Sequence, residues 1–199
     1  AEAESVAPTL ESLVDYDAAD QNDTYTREGA VVVLLSASGA EISGAGASFA
    51  GTTLTISQGG DYLLEGDLNG SVVVDAPKEA VVRLIFNGVH IQSADGPAVR
   101  ISQCDKAVVL LASDSQNSLF DSVNYTLDAD SDEPDAALYS KDDLTILGSG
   151  SLTVNAAYRN AIKCKDDLLL LGGTLQLNAA DDGITGRDLL VLDGAAVTV

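Results

Sequence analysis

Leu138-Tyr139-Ser140-Lys141-Asp142-Asp143-Leu144-Thr145-Ile146-Leu147-Gly148 and Ile162-Lys163-Cys164-Lys165-Asp166-Asp167-Leu168-Leu169-Leu170-Leu171-Gly172 align position by position. A third copy, Ile184-Thr185-Gly186-Arg187-Asp188-Leu189-Leu190-Val191-Leu192-Asp193-Gly194, joins them if it is one residue shorter before its aspartate. Each copy leads into a second apolar run: Ser151-Leu152-Thr153-Val154, Thr174-Leu175-Gln176-Leu177 and Ala196-Val197-Thr198-Val199. Leu144 to Leu168 is 24 positions and Leu168 to Leu189 is 21. A unit this short, made of strands joined by polar turns, cannot bury its apolar face alone and must stack on its neighbours. The spacing therefore predicts an all-β fold, a parallel β-helix.

Working outward, Val81-Val82-Arg83-Leu84-Ile85-Phe86 is followed 27 positions later by Val108-Val109-Leu110-Leu111. Other short Val/Leu/Ile/Thr runs, at 31 to 35, 52 to 56 and 72 to 74, are bounded by Gly, Asn, Asp and Ser, which is the signature of strands and turns. A β-sandwich would show more hairpin turns and less tandem similarity. Residues 113 to 135 break the repeat as a long polar excursion leaving one corner. Residues 1–29 read as a polar lead-in, and 30–199 as the β-helix. The apolar strand at Val199 predicts an open edge that further coils, or a second chain, would cover.

With 199 residues and 46% hydrophobic content, the chain can bury a substantial core, and with 5% aromatic residues and no Trp or Met that core is aliphatic. Ten basic against 31 acidic residues leave a net charge of −21, which repels phosphate backbones and anionic lipid. Nucleic-acid partners and membrane insertion are therefore not expected. Cys104 and Cys164 are too few for a disulfide framework and are expected as separate buried thiols. No Ser/His/Asp set, phosphate-binding glycine loop, HExxH or CxxC is present.

Equivalent residues of stacked coils lie about 4.8 Å apart, so the alignment turns into columns. One column is Asp143, Asp167 and Asp188. Beside it stand Asp142 and Asp166, then Lys141 and Lys165, while Asp135, Asp181, Asp182 and Asn160 occupy the corner before the strand. Two unit charges at that spacing repel by about 3 kcal/mol at an effective dielectric of about 20. Oxygen-only ligands select a hard cation, and Ca2+ fits better than a transition metal. The competing reading is that Lys141, Lys165 and Arg187 neutralise the aspartates as surface ion pairs. Asp128, Asp130 and Asp132 imitate the start of an EF-hand loop, but Glu133 and Tyr139 stand where Gly and Glu are needed. Tyr139 and Tyr158 are the aromatic candidates for sugar contact, and Lys141, Lys165 and Asn160 the polar ones. His90 should face outward, with no evident partner.

The chain resembles a family of bacterial carbohydrate-binding β-helix proteins, of the clostridial type that binds cellulose and acidic sugars, similar to family 9 polysaccharide lyases. The resemblance is carried by Gly59-Gly60-Asp61-Tyr62-Leu63-Leu64-Glu65-Gly66, Leu84-Ile85-Phe86-Asn87-Gly88-Val89-His90-Ile91, Asp95-Gly96-Pro97-Ala98-Val99, Ala137-Leu138-Tyr139-Ser140-Lys141-Asp142-Asp143-Leu144 and Ala180-Asp181-Asp182-Gly183-Ile184. It implies a right-handed parallel β-helix, bound calcium, an extracellular or cell-surface location, and affinity for polygalacturonate and cellulose. In such lyases an aspartate cluster holds calcium and a lysine abstracts the proton beside the uronate carboxylate. Lys141 and Lys165 are the lysines placed for that role, and acidic surroundings work against it because a lysine base needs a depressed pKa. The expected activity is therefore non-catalytic, calcium-dependent binding of an acidic polysaccharide. The alternatives are a calcium-dependent lyase and a structural or adhesive surface protein.

Overall fold

A computed structural model describes residues 14–127 and 129–199. The chain winds as a parallel β-helix whose coils each lay down strands on three faces. The first face stacks Val31–Ser36, residues 60–64, residues 81–86, Lys106–Leu111, Asp143–Gly148, Asp167–Leu170 and Leu189–Leu192, all in parallel. The second stacks residues 66–68, residues 89–92, Gln116–Phe120, Ser151–Ala156, Thr174–Ala179 and Ala196–Thr198. The third stacks Thr53–Ile56, Ser71–Asp75, Val99–Gln103, Ala136–Ser140, Asn160–Cys164 and Ile184–Gly186. At the N-terminal end, Gly39–Ile42 and Ala47–Ala50 pair antiparallel to the first strands of two faces. These hairpins cover edges that would otherwise template pairing with another chain.

Period-two alternation sends one set of side chains inward. Leu84, Val109, Ile146, Leu170 and Leu192 stand in register on the first face, and the first four are fully buried in one aliphatic core. Each such side chain contributes about 1.5–3 kcal/mol by leaving water. Close approach of coils demands glycine at one corner. Gly148 has φ 102°, and a Cβ there would collide with the Leu111 carbonyl oxygen.

Three expectations are corrected by the register. Val81 pairs with Lys106, a coil of 25 positions rather than 27. The third C-terminal copy has no deletion: Ile162 pairs with Ile184 and Asp167 with Leu189, a coil of 22 positions. Asp188 therefore falls level with Asp166, and the column that includes Val81 and Lys106 runs through Asp143 and Asp167 to Leu189. The polar excursion is also shorter than expected. Gln116–Phe120 is a strand of the second face, leaving residues 121–127 and 129–135 as the described part of the loop.

The first-face strands read as unbroken apolar runs because both of their sides are buried, as the six residues of Lys106–Leu111 show. Residues 14–30 lie across their outer side as a strap. Val14 and Tyr16 pack on Leu169, Leu189 and Val191, while Ala19 and Tyr25 join Leu63, Ile85, Val108, Leu110 and Leu147. The segment expected as a polar lead-in is thus, from residue 14 onward, part of the packed structure. Residues 1–13 of that lead-in lie outside the described residues. The second face keeps a polar outer side, with His90, Ser118, Thr153, Gln176 and Thr198 in register.

Candidate metal centre

The aspartates gather where the third face turns into the first. Asp143 and Asp167 begin adjacent strands, so the pleat sets both side chains outward at the coil spacing, and the turn before Asp167 adds Asp166. One carboxylate oxygen from each of Asp143, Asp166 and Asp167 lies within 4.8 Å of the others. Asp143 is half-buried and accepts a hydrogen bond from the Asp167 backbone N–H at 3.2 Å. Burial, together with the charges of Asp166 and Asp167, raises the Asp143 pKa against the opposing pull of that hydrogen bond and of Lys106. Asp166 is raised too, by burial first and then by Asp188, Asp167 and Asp142. Burial and the neighbouring carboxylates thus both disfavour the charged forms of these two groups.

Lys106 lies in this column, but its hydrogen bonds go elsewhere. Its Nζ donates to Asp17 Oδ2 at 2.8 Å and Asp20 Oδ2 at 2.7 Å, both on the strap. Asp20 is fully buried and also accepts from the Thr145 hydroxyl. Burial alone would lower the Lys106 pKa, but the hydrogen bonds to Asp17 and Asp20 outweigh it and raise the value. A cavity of about 50 Å³ between Asp15, Lys106, Asp143, Thr145 and Asp167 links strap and cluster. The three ligand atoms are all carboxylate oxygens, and the Lys106 ammonium of the same column is already hydrogen-bonded to Asp17 and Asp20. This set fits a hard divalent cation such as calcium. Neither Lys106 nor the strap was anticipated, although aligning Lys106-Ala107-Val108 with Asp143-Leu144-Thr145 would have shown the lysine's place.

The other candidate residues divide by location. Asp142 flanks the cluster, and its Oδ2 accepts from the Cys104 N–H at 3.1 Å. Asp188 is exposed, level with Asp166, and sits 4.0 Å from Arg187. Asp181 and Asp182 are exposed at the opposite corner, between the second and third faces, and do not join the triad. Asp130 and Asp132 are exposed in the loop. Asp128 lies outside the described residues.

The residues expected to touch sugar are mostly engaged in a network on the outer side of the third face. Tyr139 is buried and its hydroxyl donates to Glu133 Oε2 at 3.0 Å, so its ring is not open to a ligand. Lys165 donates to Glu133 at 2.6 Å rather than to the aspartates beside it. Lys163 reaches Asp135 at 2.8 Å and Glu133 at 3.2 Å. Asn160 is buried against Asp135 and accepts from the Asp182 N–H. Tyr158 stacks on Tyr125 with centroids 4.2 Å apart and carries Arg159 over its ring. Lys141 is exposed and forms no ion pair among the described residues. His90 faces outward as expected but has a partner, Ser118 Oγ, 2.7 Å from Nδ1. Cys104 and Cys164 are free and buried, and burial with the nearby aspartates pushes both thiols up to about 12.

Comparison with known proteins bears on this arrangement. The family model described as "Carbohydrate-binding domain-containing protein" matches residues 50–199. A protein of that description from Acetivibrio thermocellus is 35% identical over 136 residues, 67% of this chain and 48% of the relative. The chain thus spans about half the length of that relative. Among solved structures, the gadolinium derivative of a polysaccharide lyase-like protein from C. thermocellum superposes with a TM-score of 0.73 at 23% identity. The superposition covers 85% of this chain and 90% of the other, and it supports the parallel β-helix.

Proposed function

Because the chain belongs to the family of carbohydrate-binding domain-containing proteins, we propose that it binds an acidic polysaccharide such as polygalacturonate through calcium and without catalysis, at an extracellular location or on a cell surface. The observation that carries this reading is the Asp143, Asp166 and Asp167 cluster, three carboxylates within 4.8 Å of one another whose own lysine neighbour is committed elsewhere. Calcium bound there would supply positive charge to both sides, protein carboxylates and uronate carboxylates. A protein of net charge −21 otherwise repels such a polymer. Cellulose, which carries no charge, would gain nothing from the ion and would need a different surface.

Two of the lysines, Lys106 and Lys163, are ill suited to act as the base of a lyase. A base that abstracts the proton beside a carboxylate needs a pKa brought down toward the working pH. Lys106, in the aspartate column, is raised, and so is Lys163, where the hydrogen bond to Asp135 and that carboxylate's charge outweigh the opposing effect of burial. Calorimetry with polygalacturonate should show binding in calcium and none in excess chelator. Asp166→Asn should weaken the calcium-dependent binding at least tenfold. Equal binding in chelator would contradict the bridging role. Calcium-dependent release of unsaturated product, absorbing in the near ultraviolet, would contradict the absence of catalysis.

A further inference from the structure

The ten basic residues of this acidic chain are nearly all spoken for. Arg27, Arg83, Lys106, Arg159, Lys163, Lys165 and Arg187 each face a carboxylate, and Lys78 and Lys141 are solvated on the surface. Arg100 is the exception. It is half-buried, forms no ion pair or hydrogen bond through its guanidinium among the described residues, and its Nε is buried without a partner. An unsatisfied buried donor on a permanent cation costs free energy, so it calls for an acceptor.

The surroundings form a pocket. Arg100 points outward from the third face, in register with Val73 on one side and Tyr139 on the other. Tyr125, Thr126 and Pro134 of the loop roof it, enclosing about 140 Å³ with Ser71, Asp95 and Arg100. The roof is tied down: Thr126 N and Oγ1 donate to the two Asp95 oxygens at 2.8 and 2.9 Å, and Gly96 N donates to Asn124 O at 3.1 Å. Asp95 accepts both of the Thr126 bonds and makes no ion pair with Arg100. The Tyr125 hydroxyl is likewise committed to Asp121 and Ala136. What remains free to meet a guest is the guanidinium, beneath apolar ring edges and beside the Ser71 hydroxyl, which shares a 3.4 Å hydrogen bond with Thr53 Oγ1. That combination matches a carboxylate on a small ring, because a guanidinium pairs with carboxylate through two parallel hydrogen bonds.

We propose that the Arg100 pocket is a second, metal-independent site that takes the carboxylate of a single sugar-acid residue. The proposal rests on the acidic-polysaccharide reading for its ligand but not on calcium, since no aspartate of the metal centre lines the pocket. The test is calorimetry with trigalacturonate in excess chelator, which silences the calcium-dependent site. Wild type and Asp166→Asn should bind equally, Arg100→Gln should lose at least tenfold in affinity, and Arg100→Lys should fall between them. The methyl ester of the same trimer should not bind. No binding by wild type, or undiminished binding by Arg100→Gln, would overturn the proposal. Displacement of the trimer by an equal concentration of acetate would overturn the sugar-acid assignment. Loss in Asp166→Asn with retention in Arg100→Gln would place all carboxylate recognition at the aspartate cluster and overturn it as well.

Discussion

Glu133 is one of the residues that tie the loop to the β-helix, and its ionisation makes that part of the attachment depend on pH. Burial alone would raise its carboxyl, but hydrogen bonds from Lys165, Tyr139 and Lys163 outweigh that effect and bring the pKa from 4.5 to about 2. Since the folded value lies below the unfolded one, the stability Glu133 contributes is complete above about pH 4.5 and drains away as pH falls toward 2. Urea unfolding should therefore find Glu133→Gln less stable than wild type by about 1–3 kcal/mol at pH 7, with the gap closing near pH 2. A gap of the same size at both ends would assign the loss to packing. At this scale the sequence was a partial guide. It marked Lys165 and Tyr139 as residues beside the aspartates, but their partner, Glu133, belongs to the loop, whose path over the third face has no periodic signal.

The elements show what alternation can and cannot reveal. The inward columns were legible, because Leu144, Leu168 and their neighbours repeat at coil spacing and admit one packing. Third-face strands such as Ile184–Gly186 were harder to see, being as short as three residues. The misplaced Asp188 came from Leu189-Leu190, either of which can mimic the leucine after the aspartate pair; pairing of Ile162 with Ile184 settles it. The strap was invisible because its sequence is mixed polar and apolar, and its role lies in what it covers. Its anchor is Asp20, which holds Lys106, Thr145 and the Asp17 N–H. Asp20→Ala leaves a buried ammonium short of a partner and should cost about 3 kcal/mol. The accompanying loss of the strap should appear as faster hydrogen exchange in residues 14–25 and dye binding to Ile85, Val108 and Leu110. Unchanged exchange in that segment would show that the strap does not depend on this anchor.

Across the whole molecule, the three outer surfaces have separate chemistry. The first is largely apolar and covered by the strap, the second is mostly polar, with Asp67 in register with His90, and the third carries the ion-pair network with its roofed arginine. The aspartate cluster lies at the junction of the third and first, where repulsion between coils is concentrated. Calcium should therefore raise the melting temperature, and more than sodium chloride of equal ionic strength does, because the salt only screens charge whereas the ion binds the folded form alone. Chelator should reverse the gain. A calcium effect no larger than that of the matched salt would mean that general screening accounts for it. The most direct measurement is a crystal soaked in calcium. The account predicts an ion coordinated by Asp143, Asp166 and Asp167 at about 2.3–2.6 Å, with Lys106 still bound to Asp17 and Asp20. Density for calcium elsewhere with the triad bare, or the Lys106 ammonium swung in among the three aspartates, would contradict it.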